Sequence, residues 1–508
     1  MPSSSAEQSS GQAGSLVDLE AINAAMNHND VVSDEVVALA RMIALHEARQ
    51  QSVLDEEIAR TQSLLDSLKA KHLNRAIHIN NIRSTFAPHR KLPNELLSVI
   101  FRYCTTDPIG IPWGIKQSPF NLTHVCSRWR HVALSVASLW TNIVISTNIH
   151  YLRSLHKVTE MANEVFSRRR TSLISLDLHV WGHGQRDLTD YFVDLLASNA
   201  NSVGELCLRG EQVLLQRFLA LPPGLMDSLH SLRVDGKGRY FSPFSVVEGS
   251  RNLRTFFCGR VIAPKPVFQL PLSQLTHLYL PFTAWSTNTV VAMLSQCNTL
   301  VDCQIGYRYL YDDDRAEYRP SMSFHVPALK KLVMMDYDPY DLGSIQLLVL
   351  PKLVDFEFRV PPGHLQTASM FVPLLTAVIA NSSCLQTLFW DMYVLPEQME
   401  TMLEAMPSII RLDMRRGAML SSPILKKMSS GDLVPKLSSL SCVLETVDGL
   451  VPLLDMLEDR RSCLNHAAPI EEASLFDMLD FYHDQRTLPV DLLREFVKKG
   501  HNIKFPWT

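Results

Sequence analysis

Paired cysteines, long apolar runs and an excess of either charge are all missing from this sequence. Its nine cysteines are scattered over 508 residues without a CxxC pair, and nine is odd. Their spacing therefore describes neither a disulfide framework nor a zinc site, and a reduced intracellular protein, cytoplasmic or nuclear, is expected. No uninterrupted apolar stretch approaches the roughly 20 residues of a membrane span. The opening MPSSSAEQSSGQAG has no apolar core of the kind a secretory leader carries. Lys and Arg number 48 against 52 Asp and Glu, a formal net charge of −4, so there is no electrostatic footprint for nucleic acid. HExxH is absent, and no set of nucleophile, base and orienting acid stands out. The loop Asp312-Asp313-Asp314 does not match a calcium-loop spacing and reads as a solvated acidic turn. His183 between glycines, and Gly236-Lys237-Gly238, are too short for a phosphate cradle and read as turns. The expectation is a protein that is not an enzyme and uses no metal or cofactor.

What is present is apolar material, 46% of the chain, enough for a large core. Residues 1–32, rich in Ser, Gln, Ala and Gly, read as a disordered tail. From 33 to 85 a heptad pattern takes over. Val37, Ala44, Ile58, Leu65 and Ile79 share one register, and Ala40, Leu54, Leu68 and Ile82 share its companion. The period argues for one long helix, and its seam for a coiled coil that would make a homodimer through residues 37–82. Glu47, Gln51, Thr61, His72 and Arg75 interrupt that seam. A solvated helix, or one folded back on the rest of the chain, stays open beside the dimer.

Residues 88–146 look like a small helical knot. Leu92-Pro93 opens a short helix in which Leu92, Leu96 and Ile100 form one stripe and Leu97 and Phe101 a second. A helix apolar on two sides must be covered on both. A later stretch repeats the pattern with Leu122, Val125, Trp129 and Val132, followed by Leu139-Trp140. Burying these side chains contributes on the order of 10 kcal/mol gross, at about 1.5–3 each. That is too little for some fifty residues to fold alone.

Leu92-Pro93-x-Glu95-Leu96-Leu97-x-x-Ile100-Phe101, Leu122-x-x-Val125-Cys126-x-x-Trp129 and Leu139-Trp140 together resemble an F-box. The wording NLTHVCSRWRHVALSVASLW is similar to F-box proteins of mushroom-forming fungi. The resemblance implies a bundle of short helices that docks on a Skp-type adaptor and, through it, a cullin–RING ubiquitin ligase. It assigns adaptor binding to Leu92, Pro93, Leu96, Leu97, Ile100, Leu122, Val125 and Trp129. The sequence departs from the family pattern between Cys104 and Asn121, a longer connection carrying Pro108, Pro112 and Pro119.

Residues 147–508 carry a recurring phrase, L-x-x-L-x-L with apolar substitutes. It starts at Leu173, Val203, Leu229, Leu253, Leu275, Leu300, Leu329, Leu353, Leu385, Ile409 and Leu437. The starts lie roughly 22 to 32 residues apart, near the period of leucine-rich repeats. Apolar helical segments fall between several of them. The expected class is α/β: a leucine-rich-repeat solenoid, or horseshoe, with a C-terminal cap, preceded by the all-α knot and the long helix. Thr141–Ile145 reads as a strand capping the array, and Arg168-Arg169-Arg170 as a solvated helix end.

Strand alternation places the residues between the core leucines on the concave side. Arg233, Phe257, His277, Tyr279, Glu357, Phe389, Arg411 and Asp413 are the substrate-binding candidates. Phe257 and Tyr279 should be neighbours, and exposed aromatics beside Arg233 have the chemistry of an interaction hot spot. The function expected is a substrate-recognition adaptor of a Skp–cullin–F-box ligase acting on an unknown protein. The alternative is a scaffold independent of any ligase, whose F-box-like helices only cap the repeats.

Overall fold

The computed structural model describes residues 23–24, 26–27, 31–86, 88–111, 119–147, 155–181, 186–238, 246–261, 270–283, 287–307, 323–335, 345–359, 371–418, 420–444, 449–462, 467–477, 490–500 and 502–504. Most of the 1–32 tail, His183 and the Asp312–Asp314 loop lie outside them. The chain divides into two units, Met1–Pro93 and Asn94–Thr508.

The first unit is dominated by α1, Asp34–Thr85, one helix of 52 residues. Asp34 and Glu35 stand in its first turn and Arg83 in its last, the arrangement that complements the helix dipole. Glu56 pairs with Arg60 at 3.6 Å and Asp66 with Lys69 at 3.9 Å, both in solvent, where such pairs contribute little. Leu54, Ile58, Leu65, Leu68, Ile79 and Ile82 are all exposed.

The second unit is built on a sheet of fifteen parallel strands, ordered along the chain. Its strands are β1 (Ile109–Ile111), β2 (Asn142–Thr147), β3 (Ile174–Val180), β4 (Val203–Glu211), β5 (Ser231–Gly238), β6 (Thr255–Val261), β7 (His277–Thr283), β8 (Asp302–Tyr307), then, past the two-residue β9 (Phe324–His325), β10 (Lys331–Met335). Beyond β11 (Leu348–Val349), which pairs with β9 alone, come β12 (Asp355–Arg359), β13 (Thr387–Val394), β14 (Arg411–Ala418), β15 (Ser439–Leu444), β16 (Glu472–Asp477) and β17 (Ile503–Lys504). Parallel strands need a crossover, and helices supply several. They are α5 (Leu155–Arg168), α6 (Arg186–Ser198), α7 (Gln212–Leu219), α8 (Thr287–Leu294), α9 (Phe371–Ala380), α10 (Pro396–Glu404), α11 (Ser422–Ser430), α12 (Leu450–Arg461) and α13 (Val490–Lys498). Ahead of them stand α2 (Asn94–Cys104), α3 (Phe120–Thr123) and α4 (Ser127–Ser135).

The alternation of each phrase accounts for the core. One buried row runs from Leu176 through Leu206, Leu232, Phe256, Leu278, Cys303, Leu332, Phe356, Leu388 and Leu412 to Leu440, paired strand to strand. Each such side chain contributes about 1.5–3 kcal/mol of burial. The backbone repeats as well. The carbonyl of His230 accepts from the amides of Arg254 and Thr255, that of Arg254 from Thr276 and His277, and that of Thr276 from Val301 and Asp302. The same two-into-one junction continues through Val301, Lys330, Val354, Gln386 and Ile410 to Ser438, which accepts from Glu471 and Glu472. Equivalent units are thus joined by equivalent bonds, including one at Glu472 on a strand that lacks the phrase because Ala473 replaces the leucine.

Several sequence expectations change. The Cys104–Asn121 connection is more than an insertion: Ile109-Gly110-Ile111 forms β1 and pairs in parallel with β2. β1, not the Thr141–Ile145 strand, therefore stands at that edge of the sheet. Pro112 lies outside the described residues. The stretch from Leu122 is two helices rather than one, broken where the Cys126 thiol accepts from the Trp129 amide and caps α4. Gly236-Lys237-Gly238 ends β5 rather than making a turn. Arg168 is half-buried, and its guanidinium lies 4.5 Å from the Trp140 ring centroid and 5.7 Å from that of Phe120. It is a packing residue, not a solvated helix end.

The cysteines make a testable set. Cys258, Cys297, Cys303 and Cys442 are buried, whereas Cys104, Cys126 and Cys384 are exposed. Burial raises the buried thiols above their ordinary 9.0, to about 12 for Cys297 and Cys442. Unfolded thiols then lose protons first, so the stability they contribute is complete below pH 9 and falls as pH rises toward 12. The slope is about 1.4 kcal/mol per pH unit per thiol. A colorimetric thiol titration is expected to find Cys104, Cys126 and Cys384 reactive in the native protein. The buried four should react only after denaturation, and rapid native labelling of Cys258 or Cys303 would contradict this packing.

Candidate docking surfaces

In α2, residue spacing separates two faces 100° per residue apart. Leu97 and Phe101 are 1% and 0% exposed, and the Phe101 ring lies 4.9 Å from that of Trp129 on α4. The Arg128 Nε donates to Asn94 Oδ1 at 3.0 Å, tying the beginnings of α2 and α4 together. The opposite face carries Leu96 at 51%, Val99 and Ile100 at 40% and Tyr103 at 81% exposure. Four apolar or aromatic side chains at spacings of three and four make one uncovered stripe on an 11-residue helix. Val125, in the break before α4, is also exposed, as is Leu134 within it.

The residues expected to bind an adaptor thus fall into different places. Leu96, Ile100 and Val125 are exposed, and Leu122 and Trp129 are half-buried. Leu97 is sealed in the interior, where it packs the helices and offers no surface. Leu92 and Pro93 belong to the first unit. Val99 and Tyr103 were missed by sequence reasoning, although both continue the stripe at i+3 and i+7 from Leu96.

The helices are held to the sheet by Trp140. Its ring is fully buried, its Nε1 donates to the Ala133 carbonyl at 2.9 Å, and the Phe120 ring stands edge-on at 5.4 Å. Arg168 closes the stack from α5 while pairing with Glu164 at 2.6 Å.

The second surface is the sheet face opposite the apolar row. Strand register puts Asp177, Cys207, Arg233, Phe257, Tyr279 and Gln304 side by side, one per strand. The Arg233 guanidinium lies 4.0 Å from the Phe257 ring centroid, and the Phe257 and Tyr279 centroids are 6.4 Å apart. His277 stands 6.3 Å from Tyr279, whose hydroxyl donates to Asp302 at 3.1 Å. Burial, reinforced by the Asp302 carboxylate, pushes the Tyr279 hydroxyl up to about 12, so it remains a donor at neutral pH. Val333 intervenes, and then Glu357, Phe389 and Asp413 form a second row on β12–β14. Arg359, on the same face two residues along β12, pairs with Glu357 and lies 5.0 Å from the Phe389 ring. The two clusters are three strand spacings apart, about 14 Å. Arg411 is exposed two residues back on β14. A third cluster sits on β3 and β4, where Asp177 holds His179 at 2.9 Å and Arg209 at 3.4 Å. Gly259 and Pro281, two residues beyond Phe257 and Tyr279 on the same alternation, are buried.

Cations over aromatic rings and paired carboxylates thus recur along this face. Against this geometry, a family model described as F-box-like matches residues 89–146. The segment is an F-box-like domain. No curated protein matches the chain. The match spans α2, α3, α4, β1 and most of β2, so the F-box-like domain contributes its own strands to the long parallel sheet. Among the described residues no helix is long and apolar enough to cross a membrane.

Proposed function

We propose that this chain is a substrate-recognition subunit of a Skp–cullin–F-box ubiquitin ligase, cytoplasmic or nuclear. The observation that carries the reading is the uncovered stripe Leu96, Val99, Ile100 and Tyr103, set in a segment with F-box-like sequence. Such a stripe is costly to leave in water and is the kind of feature a partner's groove covers. The adaptor would seat this helix and Val125, and the cullin–RING partner would be recruited through it. The sheet would be a leucine-rich-repeat solenoid: the L-x-x-L-x-L phrase and the two-into-one backbone junction recur together. Its polar face would hold the substrate protein through the Arg233–Phe257–Tyr279 and Arg359–Phe389 clusters. Ubiquitin transfer would take place on other subunits, with this chain supplying position, a proximity effect rather than catalysis.

Co-expression with a Skp-type adaptor tests this directly. A stoichiometric complex that survives gel filtration is expected, and a folded chain that leaves the adaptor behind would end the ligase reading. The capping alternative has its own support, because Trp140, Arg168 and β1 bind the helices to the sheet's first edge. Capping alone leaves the Leu96 stripe without a purpose. On the substrate side, Phe257→Ala is expected to weaken capture of the bound protein at least tenfold, about 1.4 kcal/mol, in a pull-down that leaves adaptor capture unchanged.

A further inference from the structure

The charges of α1 are sorted along its length. Residues 34–57 carry six carboxylates and two arginines, a net −4. Residues 58–85 carry five Lys or Arg and one carboxylate, a net +4 with histidines neutral. A parallel pair of such helices would set each acidic half beside its own copy, and each basic half likewise. In the seam Glu47 would meet Glu47 and Arg75 would meet Arg75, like charges at contact distance. Reversing one helix removes every one of these conflicts.

The register follows from the helix ends. When two antiparallel copies of Asp34–Thr85 overlap flush, position i faces position 119 − i. That single alignment also puts every residue of one heptad register opposite one of the other. Leu54 meets Leu65, Gln51 meets Leu68, Ala40 meets Ile79 and Val37 meets Ile82. Ile58 meets Thr61 beside the dyad. The two polar interruptions of opposite character, Glu47 and His72, face each other. Small alanines face larger side chains, as close packing of two helices favours. The aliphatic members of this seam from Leu54 to Ile82 are exposed in the single chain, Leu54 at 58% and Ile58 at 65%. A contact strip about 78 Å long and about 10 Å wide on each helix covers on the order of 1,600 Å² in total. That is the size of a standard stable interface.

We infer that α1 pairs antiparallel with α1 of a second copy of this chain, through the flush register that places Leu54 against Leu65. The two-fold axis then passes between Ile58 and Thr61, and each chain contributes the same surface. The inference does not rest on the ligase reading, and adaptor capture is scored separately on the same preparations.

The test uses the full chain, as wild type, as the single variants Leu54→Cys and Leu65→Cys, and as the double variant. Light scattering at tens of micromolar is expected to give twice the 57.4 kDa chain mass. After mild oxidation, mass spectrometry should find position 54 linked to position 65 in the double variant. The two sites are about 16 Å apart along one helix, so such a link must join two chains. Neither single variant should gain a link that wild type lacks. A single-chain mass, a 54–54 or 65–65 link, or a dimer with no link through these positions would each overturn the proposal.

Discussion

Replacing Leu96 and Ile100 together with aspartate is expected to reduce capture of a Skp-type adaptor at least a thousandfold, without moving the melting temperature by more than a degree or two. Both side chains stand in solvent, at 51% and 40% exposure, so the folded chain loses little when they change. In a complex they would be central and desolvated. Each aliphatic anchor lost there costs about 2 kcal/mol, and a carboxylate forced into an apolar groove adds its own desolvation. A thousandfold corresponds to about 4 kcal/mol, well within reach of the pair. Leu97→Ala is the informative control. Leu97 is buried beside Phe101, so its truncation should cost about 2–5 kcal/mol of stability and affect capture only through unfolding. Isothermal titration and thermal denaturation on the same samples separate the two behaviours. Undiminished capture by the Leu96/Ile100 variant would place the docking surface elsewhere.

The contrast between Leu96 and Leu97 marks where sequence reading stops. Period alone shows two apolar stripes on α2, and nothing in the sequence tells which one its neighbours cover. The decision is made by Trp129 and Phe101, which meet about 40° from Leu97 around the helix and about 140° from Leu96. The strands were far more legible. Alternation with period two recurs in register, so Leu176, Leu206 and Leu232 point inward by arithmetic, and Phe257 falls beside Tyr279 for the same reason. Short or atypical elements escaped. β1 has only three residues inside a proline-bearing connection, too few to show alternation. α7 and α11 are eight and nine residues long, each about two turns, so their apolar pattern barely repeats. The partners of Arg168 escaped for another reason. Trp140 lies 28 positions earlier in the chain, and a stack across that gap is a property of the folded packing alone.

Trp140→Ala is expected to cost about 3–5 kcal/mol and to loosen the F-box-like helices and the adjoining strands together. Its ring fills the junction between Phe120 and Arg168, and its removal leaves a large cavity between α4, α5 and β2. It also strips the buried Ala133 carbonyl of its donor, whose desolvation alone costs about 1–3 kcal/mol. Trp140→Phe separates the two effects, because it keeps most of the volume while losing the Nε1 donor, and should cost about 1–3 kcal/mol. Hydrogen exchange reads the extent of the damage. If the helices and the sheet form one cooperative body, amides of α4, α5, β2 and β3 should lose protection in parallel, and adaptor capture should fall with them. Loss confined to α2, α3 and α4, with β2 and β3 still protected, would mean that the F-box-like helices fold as a separate appendage. The distinction matters mechanically. Only helices fixed to the sheet through Trp140 can hold the Leu96 stripe at a constant distance from the Phe257 and Phe389 clusters, and the proposed positioning of a substrate depends on that distance.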